Sequence, residues 1–192
     1  MAPKRNRFRH LENPIDLNQK LMDKILKLGD TVVDATCGNG YDSIFIAERI
    51  GKGGTLHCFD IQEDAIKNTK ESLLKLNNAP TFFMHHHSHE NMEALIATKV
   101  DCVIYNLGYL PTGDKTIITR PDSTIKSLIS SFSILKPNGI ISIMCYLEHD
   151  NHNEYEQIKK FLLTLNQLEY SVAETHFILR KKSPVLLLLE KL

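Results

Sequence analysis

The segment 34–40, Asp-Ala-Thr-Cys-Gly-Asn-Gly, restricts the possible fold of this chain more than any other stretch. It follows an apolar run at 31–33 and precedes an amphipathic run at 44–50. A strand, a glycine turn and a helix form the first unit of a nucleotide-binding α/β fold. Gly38 and Gly40 lack a Cβ, so a ligand can approach the backbone closely. The segment therefore predicts a ligand site; the alternative is an ordinary strand-to-helix turn.

The residues around this turn indicate the class of ligand. A dinucleotide site has the pattern G-x-G-x-x-G, whereas residues 41–43 are Tyr-Asp-Ser and supply no third glycine. Asp34 ends the first strand, and a carboxylate suits an amine or a hydroxyl better than a phosphate. This combination resembles the first motif of methyltransferases that use S-adenosylmethionine (SAM).

A second acidic residue supports an adenosine-containing ligand. Asp60 ends the next strand-like run and lies 22 positions after Gly38, near the spacing of roughly 20 at which a carboxylate accepts hydrogen bonds from a ribose. We expect Ile61 to lie against the adenine and Gln62 to form a hydrogen bond nearby. The alternative role for Asp60 alone is that of a helix N-cap.

Apolar periodicity alternates between strand and helix along the chain. Strands are predicted at 31–34, 55–60, 81–84, 100–107, 140–146, 170–179 and 184–190. Helices are predicted at 15–28, 42–50, 62–76, 90–97, 121–135 and 153–168. The short link at 180–183 predicts that the last two strands are antiparallel. We therefore expect one α/β domain over 1–192, with a basic arm at 1–14, an N-terminal helix at 15–29, and a Rossmann-like, mostly parallel seven-stranded sheet covered by helices on both faces.

Composition limits the kinds of partner. The 23 basic residues equal the 23 acidic ones in number, so nucleic acid must bind a local patch rather than a general positive field. The basic segment 4–10 is either such a patch or a solvated tail. Four cysteines without zinc spacing, and no signal peptide, predict a reducing cytoplasm. The apolar run at 185–189 is too short to cross a membrane.

Four histidines lie within 85–89, directly after the third predicted strand. A strand would direct alternate histidines to opposite faces, and no acidic or cysteine partner is suitably spaced, so no metal is expected. We expect Ser88 and His89 to contact the adenine end of the cofactor instead.

The fourth predicted strand ends in the segment 105–111, Tyr-Asn-Leu-Gly-Tyr-Leu-Pro. This segment resembles the Asn-Pro-Pro-Tyr motif of amino-methyltransferases, in which an Asn side chain and a backbone carbonyl accept hydrogen bonds from the target amine. The resemblance implies that Asn106 is the amine acceptor, that Leu107 offers its carbonyl, and that Tyr109 packs on the base. Positioning the nitrogen in line with the methyl group is most of what this chemistry needs. The alternative is an ordinary loop with an exposed Asn.

In order along the chain, the segments 34–40, 60–62, 88–90, 106–115 and 119–124 together resemble one family, the bacterial tRNA 5-(aminomethyl)uridine methyltransferases. The resemblance runs from about residue 17 to residue 191. It implies that SAM is the cofactor and that the exocyclic amine of 5-aminomethyl-(2-thio)uridine, at the wobble position of the tRNA anticodon stem-loop, is methylated.

The resemblance also implies roles for individual residues. The implied cofactor contacts in and after the first turn are Asp34, Thr36, Cys37, Gly38, Asn39, Gly40 and Asp42. Asn106 and Leu107 are implied contacts of the cofactor as well as of the amine. The implied RNA or substrate contacts are Leu107, Tyr109, Lys115, Thr119, Arg120, Thr124 and Tyr146. After the fifth strand Tyr146 and His149 match the family, but Glu148 replaces its glycine.

The reaction itself requires a proton acceptor. An alkylammonium has a pKa near 10.4 and no lone pair, so the site must bind or generate the neutral amine. Asp114 and His149 are the candidate acceptors. Three alternatives stay open: a methyltransferase acting on another RNA or a small amine, a nicotinamide-dependent oxidoreductase, and a non-enzymatic RNA-binding module. The oligomeric state is not readable from the sequence, and a homodimer is one option.

Overall fold

A computed structural model describes residues 11–108, 118–147, 152–180 and 182–192. The helices are α1 (Pro14–Ile25), α2 (Tyr41–Ile50), α3 (Glu63–Leu73), α4 (Met92–Leu95, after a 3-10 turn at His89–Asn91), α5 (Pro121–Ile134) and α6 (Asn153–Leu162). The strands are β1 (Thr31–Asp34), β2 (Thr55–Asp60), β3 (Thr81–His86), β4 (Val100–Leu107), β5 (Leu135–Cys145), β6 (Tyr170–Thr175) and β7 (Val185–Lys191).

The strands form one seven-stranded sheet in the order β3-β2-β1-β4-β5-β7-β6. Strands β1 to β5 pair in parallel, and β7 is antiparallel to both β5 and β6. The predicted class, a Rossmann-like sheet with an antiparallel C-terminal strand, is confirmed. Strand order reverses between β1 and β4, the place where open α/β sheets bind ligands.

Helices cover both faces of the sheet because the parallel strands are apolar on both sides. On one face, Met22 of α1, Ile46 of α2 and Leu73 of α3 belong to the same buried cluster. On the other face, Leu128 of α5 and Ile158 of α6 belong to a second cluster. Within the described parts of the chain, no helix has both the length and the apolar character needed to cross a bilayer.

Several predicted boundaries were wrong. Helix α1 ends at Ile25 rather than at residue 28, and Leu28 is 81% exposed, because Leu26 already has extended dihedral angles. Helices α3 and α6 end at Leu73 and Leu162, several residues earlier than predicted. Most of the predicted arm at 1–14 lies outside the described residues.

The fifth strand begins earlier than predicted. Leu135, predicted to end the preceding helix, pairs with Val100 and starts β5, whose pairing with β4 has a register shift between Val100 and Cys102. The predicted β6–β7 link of four residues is also wrong, since the link runs over 176–184. Strand pairing decided both boundaries, and local apolar periodicity contains no information about pairing.

The buried face of α5 is partly polar. Ser127 and Ser131 are fully buried, whereas the apolar Ile125 and Phe132 of the same helix are only partly covered. The two serine hydroxyls lie 2.7 and 2.6 Å from the hydroxyl of Tyr105, a buried residue of β4. Burial raises the pKa of Tyr105, so the phenol stays neutral and shares these hydrogen bonds. The serines therefore satisfy a buried phenol that an apolar helix face would leave unpaired.

Candidate active site

A cavity of about 720 Å³ opens at the carboxyl ends of β1, β2 and β4, within the size range of small-molecule sites. Most residues predicted to bind a cofactor line it: Thr36, Cys37, Gly38, Asn39, Asp42, Asp60, Ile61, Gln62, Ser88, His89, Asn106 and Leu107. Asp34 and Gly40 do not line it.

The glycine turn is shaped by backbone hydrogen bonds and by its glycines. Gly38 and Gly40 have φ angles of 50° and 83°, a region that side chains disfavour. A Cβ on Gly40 would lie 3.0 Å from the Thr69 hydroxyl oxygen, and that hydroxyl donates to the carbonyl of Gly38 at 3.0 Å. The Cys37 amide donates to the Phe59 carbonyl at 2.9 Å. Gly40 therefore shapes the turn from behind, which corrects its predicted position at the ligand.

Asp60 connects the ends of β1 and β2. Its carboxylate accepts from the Gly38 amide at 3.0 Å and from the Gln62 amide at 2.9 Å. Burial raises the pKa of Asp60, while these hydrogen bonds and one from the Ile61 amide oppose the rise. The side chain lines the cavity, as expected of a carboxylate that would accept a ribose hydroxyl.

Asp34 is placed differently from its prediction. It is buried behind the turn, where it accepts from the Ser43 hydroxyl at 2.5 Å and from the Thr36 amide at 3.2 Å. Burial, followed by the charge of Asp42, raises its pKa to about 7. Asp34 does not line the cavity, and its hydrogen bonds with Ser43 and Thr36 support the turn from behind.

Asn106, at the end of β4, has one side-chain polar atom bonded and one without a partner. Its Nδ2 donates to Asp42 Oδ2 at 3.0 Å, and its backbone amide donates to the Thr36 hydroxyl at 2.7 Å. Among the described residues, the buried Oδ1 of Asn106 has no hydrogen-bond partner. A buried acceptor of this kind costs about 1–3 kcal/mol. A ligand that donates a hydrogen bond to Oδ1 would remove that cost.

Two polar neighbours orient this amide. Asp42 also accepts a hydrogen bond from Gln19 of α1, and burial raises the pKa of Asp42 against both hydrogen bonds. Tyr146 lines the cavity at the end of β5. Burial, then the charge of Asp42, raises the pKa of Tyr146, and a hydrogen bond from Asn106 opposes the rise. The site thus gathers a carboxylate, an amide and a phenol from three separate elements.

A buried carboxylate, Glu154 of α6, holds the segment after β4. It accepts from the Thr119 hydroxyl at 2.6 Å and from the Thr124 hydroxyl at 2.7 Å. Gly108 and Thr119 also bond in both directions, with the Gly108 amide donating to the Thr119 hydroxyl at 3.0 Å and the Thr119 amide donating to the Gly108 carbonyl at 3.0 Å. Gly108 and Thr119 are therefore held together beside the cavity.

The hydrogen bonds of Glu154 correct one predicted RNA contact. Thr124 has no exposed surface, so it holds Glu154 and is not available to a nucleic acid. Thr119 lines the cavity, whereas Arg120 is exposed away from its lining. Four further predicted residues lie outside the described residues: Tyr109, Asp114, Lys115 and His149.

The histidine segment forms a stacked group. His57 Nδ1 lies 3.0 Å from His85 Nε2, and His85 stacks on Phe59 with ring centroids 4.3 Å apart. Burial, then the charge of His85, lowers the pKa of His57 to about 4. Burial likewise lowers the pKa of His89 to about 4, and its Nδ1 has no partner among the described residues. In those parts of the chain, no three His, Cys, Asp or Glu residues are grouped to hold a metal ion.

Other residues line the cavity without having been predicted: Ile15, Gln19, Ala35, Tyr41, His87, Gly108, Ile118, Ser123, Leu147 and Lys182. Ala35 and Gly108 lie within the motifs at 34–40 and 105–111, and Tyr41 is an aromatic directly after the glycine turn that is 77% exposed. Ile15 and Gln19 belong to α1, which a buried hydrogen bond from Ser142 of β5 to Asn18 attaches to the sheet. That attachment links residues 124 positions apart and has no local signature.

Comparison with known proteins gives a family match. A family model described as "Putative rRNA methylase" matches residues 56–191. The chloroplastic tRNA (mnm(5)s(2)U34)-methyltransferase of Arabidopsis thaliana is 33% identical over 180 residues, which are 88% of this chain and 66% of that protein. The ribosomal RNA small subunit methyltransferase H of Mycoplasma capricolum is 31% identical over 50% of this chain and 31% of its own length. The chain therefore spans less than two thirds of both relatives.

Solved structures agree with this match. A "putative rRNA-methylase" of Clostridium thermocellum has a TM-score of 0.89 and 38% identity, over 95% of this chain and 99% of that one. A "putative methyltransferase" of Streptococcus mutans, in complex with SAH, has a TM-score of 0.83 and 27% identity over the same shares.

Proposed function

Because the chain belongs to the rRNA methylase family, we propose that it methylates the amine of 5-aminomethyl-(2-thio)uridine at the wobble position of tRNA, forming the 5-methylaminomethyl product. The chain is a SAM-dependent methyltransferase of the RNA methylase type. The tRNA specificity is supported by the name of the Arabidopsis relative and by the motif at 105–111.

The observation that carries the proposal is the Oδ1 of Asn106, which has no hydrogen-bond partner among the residues that the structure describes. A target amine that donates a hydrogen bond to Oδ1 would be held next to the glycine turn, where SAM would present its methyl group. Asp42 bonds Nδ2 and so fixes which end of the amide remains as the acceptor. The Leu107 carbonyl would accept the second amine hydrogen. In-line positioning of this kind accounts for a large part of a transfer barrier.

The amine must lose its charge before it attacks. Asp42 lines the cavity, and burial raises its pKa, which makes its carboxylate a better proton acceptor than an exposed one. Asp42 therefore joins Asp114 and His149 as a candidate acceptor. A wobble base is unpaired within its loop, so it can enter the cavity with little cost of unpairing.

SAM would occupy the region between the glycine turn and Asp60. Asp60 would accept the ribose hydroxyls, with Ile61 and Gln62 near the adenine. No atom of SAM is needed to form the turn, because Thr69 donates a hydrogen bond to the Gly38 carbonyl and Asp60 accepts one from the Gly38 amide. We place the reaction in the cytoplasm, where the four buried free cysteines would stay reduced.

The proposal is tested with purified protein, SAM and tRNA that carries 5-aminomethyluridine. Nucleoside mass spectrometry should show the gain of one methyl group on that nucleoside. Asn106→Ala should lower the turnover rate at least 100-fold and change SAM affinity less than threefold, because the amide contacts the amine rather than the cofactor. Unchanged turnover in Asn106→Ala would remove the amide from the mechanism.

A second candidate substrate is ribosomal RNA, which the Mycoplasma relative is named for. The same assay run with 16S and 23S rRNA from a strain lacking the gene separates the two. Methylation of rRNA alone would replace the tRNA proposal while leaving the SAM-dependent chemistry in place.

A further inference from the structure

The β6–β7 link, residues 176–184, lies at the same edge of the sheet as the active site. Val185, the first residue of β7, pairs with Cys145 at the carboxyl end of β5, and Cys145 pairs with Leu107 at the end of β4. Lys182 of the link lines the cavity. Residues three positions before Lys182 are therefore within about 11 Å of the cavity wall.

The link contains a tight turn with an unusual composition. The Arg180 amide donates to the Phe177 carbonyl at 2.8 Å, which places Ile178 and Leu179 at the two corner positions of a β-turn. Corner positions normally hold Gly, Pro, Asn or Asp. Here Ile178 is 90% exposed and Leu179 is 97% exposed. Two adjacent large apolar side chains held outward in this way are typical of an interaction surface rather than of scattered surface residues.

Positive charge accompanies the two apolar residues. Arg180 lies with its guanidinium 5.4 Å from the centre of the Phe177 ring, and its carbonyl accepts a hydrogen bond from the Ser183 amide at 2.9 Å. In sequence, Arg180 begins a run of three basic residues that ends with Lys182. The link therefore presents an apolar tip and then cations leading into the cavity.

Single-stranded RNA combines the two chemistries that match this arrangement. Its unstacked bases offer flat apolar faces, and its backbone carries one phosphate per nucleotide. A second copy of the chain is a less suitable partner. A twofold contact through this turn would bring Arg180 and Lys182 of both copies together, and like charges repel. The positive charge of the turn therefore favours RNA over a second copy of the chain as the partner.

We propose that Ile178, Leu179, Arg180 and Lys182, here called the Ile178 turn, form the docking surface for the RNA nucleotides next to the target base. The apolar pair packs against a neighbouring base, and the cations contact the phosphates on either side of it. This proposal rests on the proposed function for the identity of the RNA, the anticodon stem-loop.

The test compares the double variant Ile178→Ser/Leu179→Ser and the single variant Arg180→Ala with matched controls at the opposite edge. Leu163→Ser/Leu168→Ser removes two leucines that are 78% and 75% exposed, and Lys52→Ala removes an exposed cation before β2. Binding of a fluorescent anticodon stem-loop is measured by anisotropy at several salt concentrations. Methylation of the stem-loop and of the free nucleoside 5-aminomethyluridine is measured in parallel.

We expect the double variant to weaken stem-loop binding and raise its KM about tenfold, while kcat, SAM affinity and methylation of the free nucleoside stay unchanged. Arg180→Ala should reduce the slope of log affinity against log salt by about one. The control variants should behave as wild type.

Wild-type stem-loop binding by both Ile178-turn variants would overturn the proposal. Unchanged RNA binding together with loss of a dimer in sedimentation experiments would also overturn it, in favour of a second copy as the occupant. A wild-type protein that binds the stem-loop through this turn but does not methylate it would refute the proposed function and leave the docking surface standing.

Discussion

At the scale of single residues, two aspartates at neighbouring strand ends have different environments and different tasks. Asp60 lines the cavity and accepts a hydrogen bond from the Gly38 amide of the turn. Asp34 is enclosed behind the same turn and bonds Ser43. The two side chains lie on different sides of the turn, one at the cavity and one behind it. The two carboxylates are therefore tested by different experiments.

Replacing Asp60 should weaken SAM binding. Asp60→Ala removes the expected ribose acceptor and the anchor of the Gly38 amide, so we expect SAM affinity measured by calorimetry to fall at least tenfold, which is about 1.4 kcal/mol. Asp64→Ala, at an exposed acid in the first turn of α3, is the control and should leave affinity unchanged. Equal affinities for Asp60→Ala and wild type would contradict the assignment.

Replacing Asp34 should change how stability depends on pH. Its pKa rises from 3.8 to about 7 on folding, so between pH 4 and 7 the native carboxyl retains a proton that the unfolded chain has released. This contribution is fully present below pH 4 and is lost as pH rises to 7. The free energy of unfolding of wild type minus that of Asp34→Asn should therefore fall over this range, by up to about 4 kcal/mol.

Urea unfolding of both proteins at pH 4.5, 5.5, 6.5 and 7.5 measures that difference. His57 and His89, whose pKa values are lowered to about 4, make both proteins less stable as pH falls from 6.5, and this effect cancels in the comparison. Two curves that run parallel over the whole range would show that Asp34 does not hold the extra proton.

At the scale of elements, α6 holds residues at both ends of the connection between β4 and α5. Glu154 accepts hydrogen bonds from Thr119, before α5, and from Thr124, in its first turn. Thr119 in turn bonds Gly108, the residue after β4. One buried carboxylate therefore joins three elements at the cavity rim, since it holds Thr119 and Thr124 directly and Gly108 through Thr119.

Replacing Glu154 should separate RNA turnover from SAM binding. Glu154→Ala leaves two hydroxyls without their acceptor, so we expect the free energy of unfolding to fall by about 2 kcal/mol and kcat/KM for RNA to fall at least tenfold. SAM affinity should change less than twofold, because no cofactor contact is lost.

Glu154→Gln keeps one acceptor oxygen and should restore part of the activity. Glu156→Ala, an exposed acid on the same helix, serves as the control. All assays are run at a temperature where every variant is folded. A parallel loss of SAM affinity in Glu154→Ala would indicate general damage to the site rather than a local displacement of Gly108 and Thr119.

At the scale of the whole molecule, the reversal of strand order between β1 and β4 creates the site. The glycine turn comes from β1, Asp60 from β2 and Asn106 from β4, and these three strands are adjacent in the sheet. The antiparallel pair β7 and β6 extends the sheet beyond β5 and returns the chain, through Lys182, to the same edge. Cofactor, amine and RNA contacts can therefore be supplied by one sheet edge.

SAM should stabilise the whole protein more than NAD does. A ligand at 100 times its dissociation constant adds about 2.7 kcal/mol to the free energy of unfolding, or roughly 5 to 10 °C in Tm for a chain of this length. A thermal shift with SAM or SAH, and none with NAD at the same concentration, is the expected result. Equal stabilisation by NAD would contradict the prediction, based on the missing third glycine, that the site does not bind a dinucleotide.

Sequence by itself determined the features that depend on neighbouring residues. The order of strands and helices follows from apolar periodicity, and the glycine turn is encoded by seven consecutive residues, 34–40. Asp60 and Asn106 could be selected because a polar residue that ends an apolar strand must lie at the carboxyl edge of a parallel sheet. Their positions at the cavity were predicted correctly, while their roles stay predictions.

Only the tertiary structure decided the features that join distant parts of the chain. Glu154 meets Thr119 and Thr124 across 35 and 30 positions, α1 brings Gln19 to Asp42, and the β6–β7 link brings Lys182 to the cavity. Periodicity reports which face of an element is buried, but not which partner it meets there. Partner choice depends on strand order and helix packing, and these are set by the free energy of the whole core rather than by any local segment.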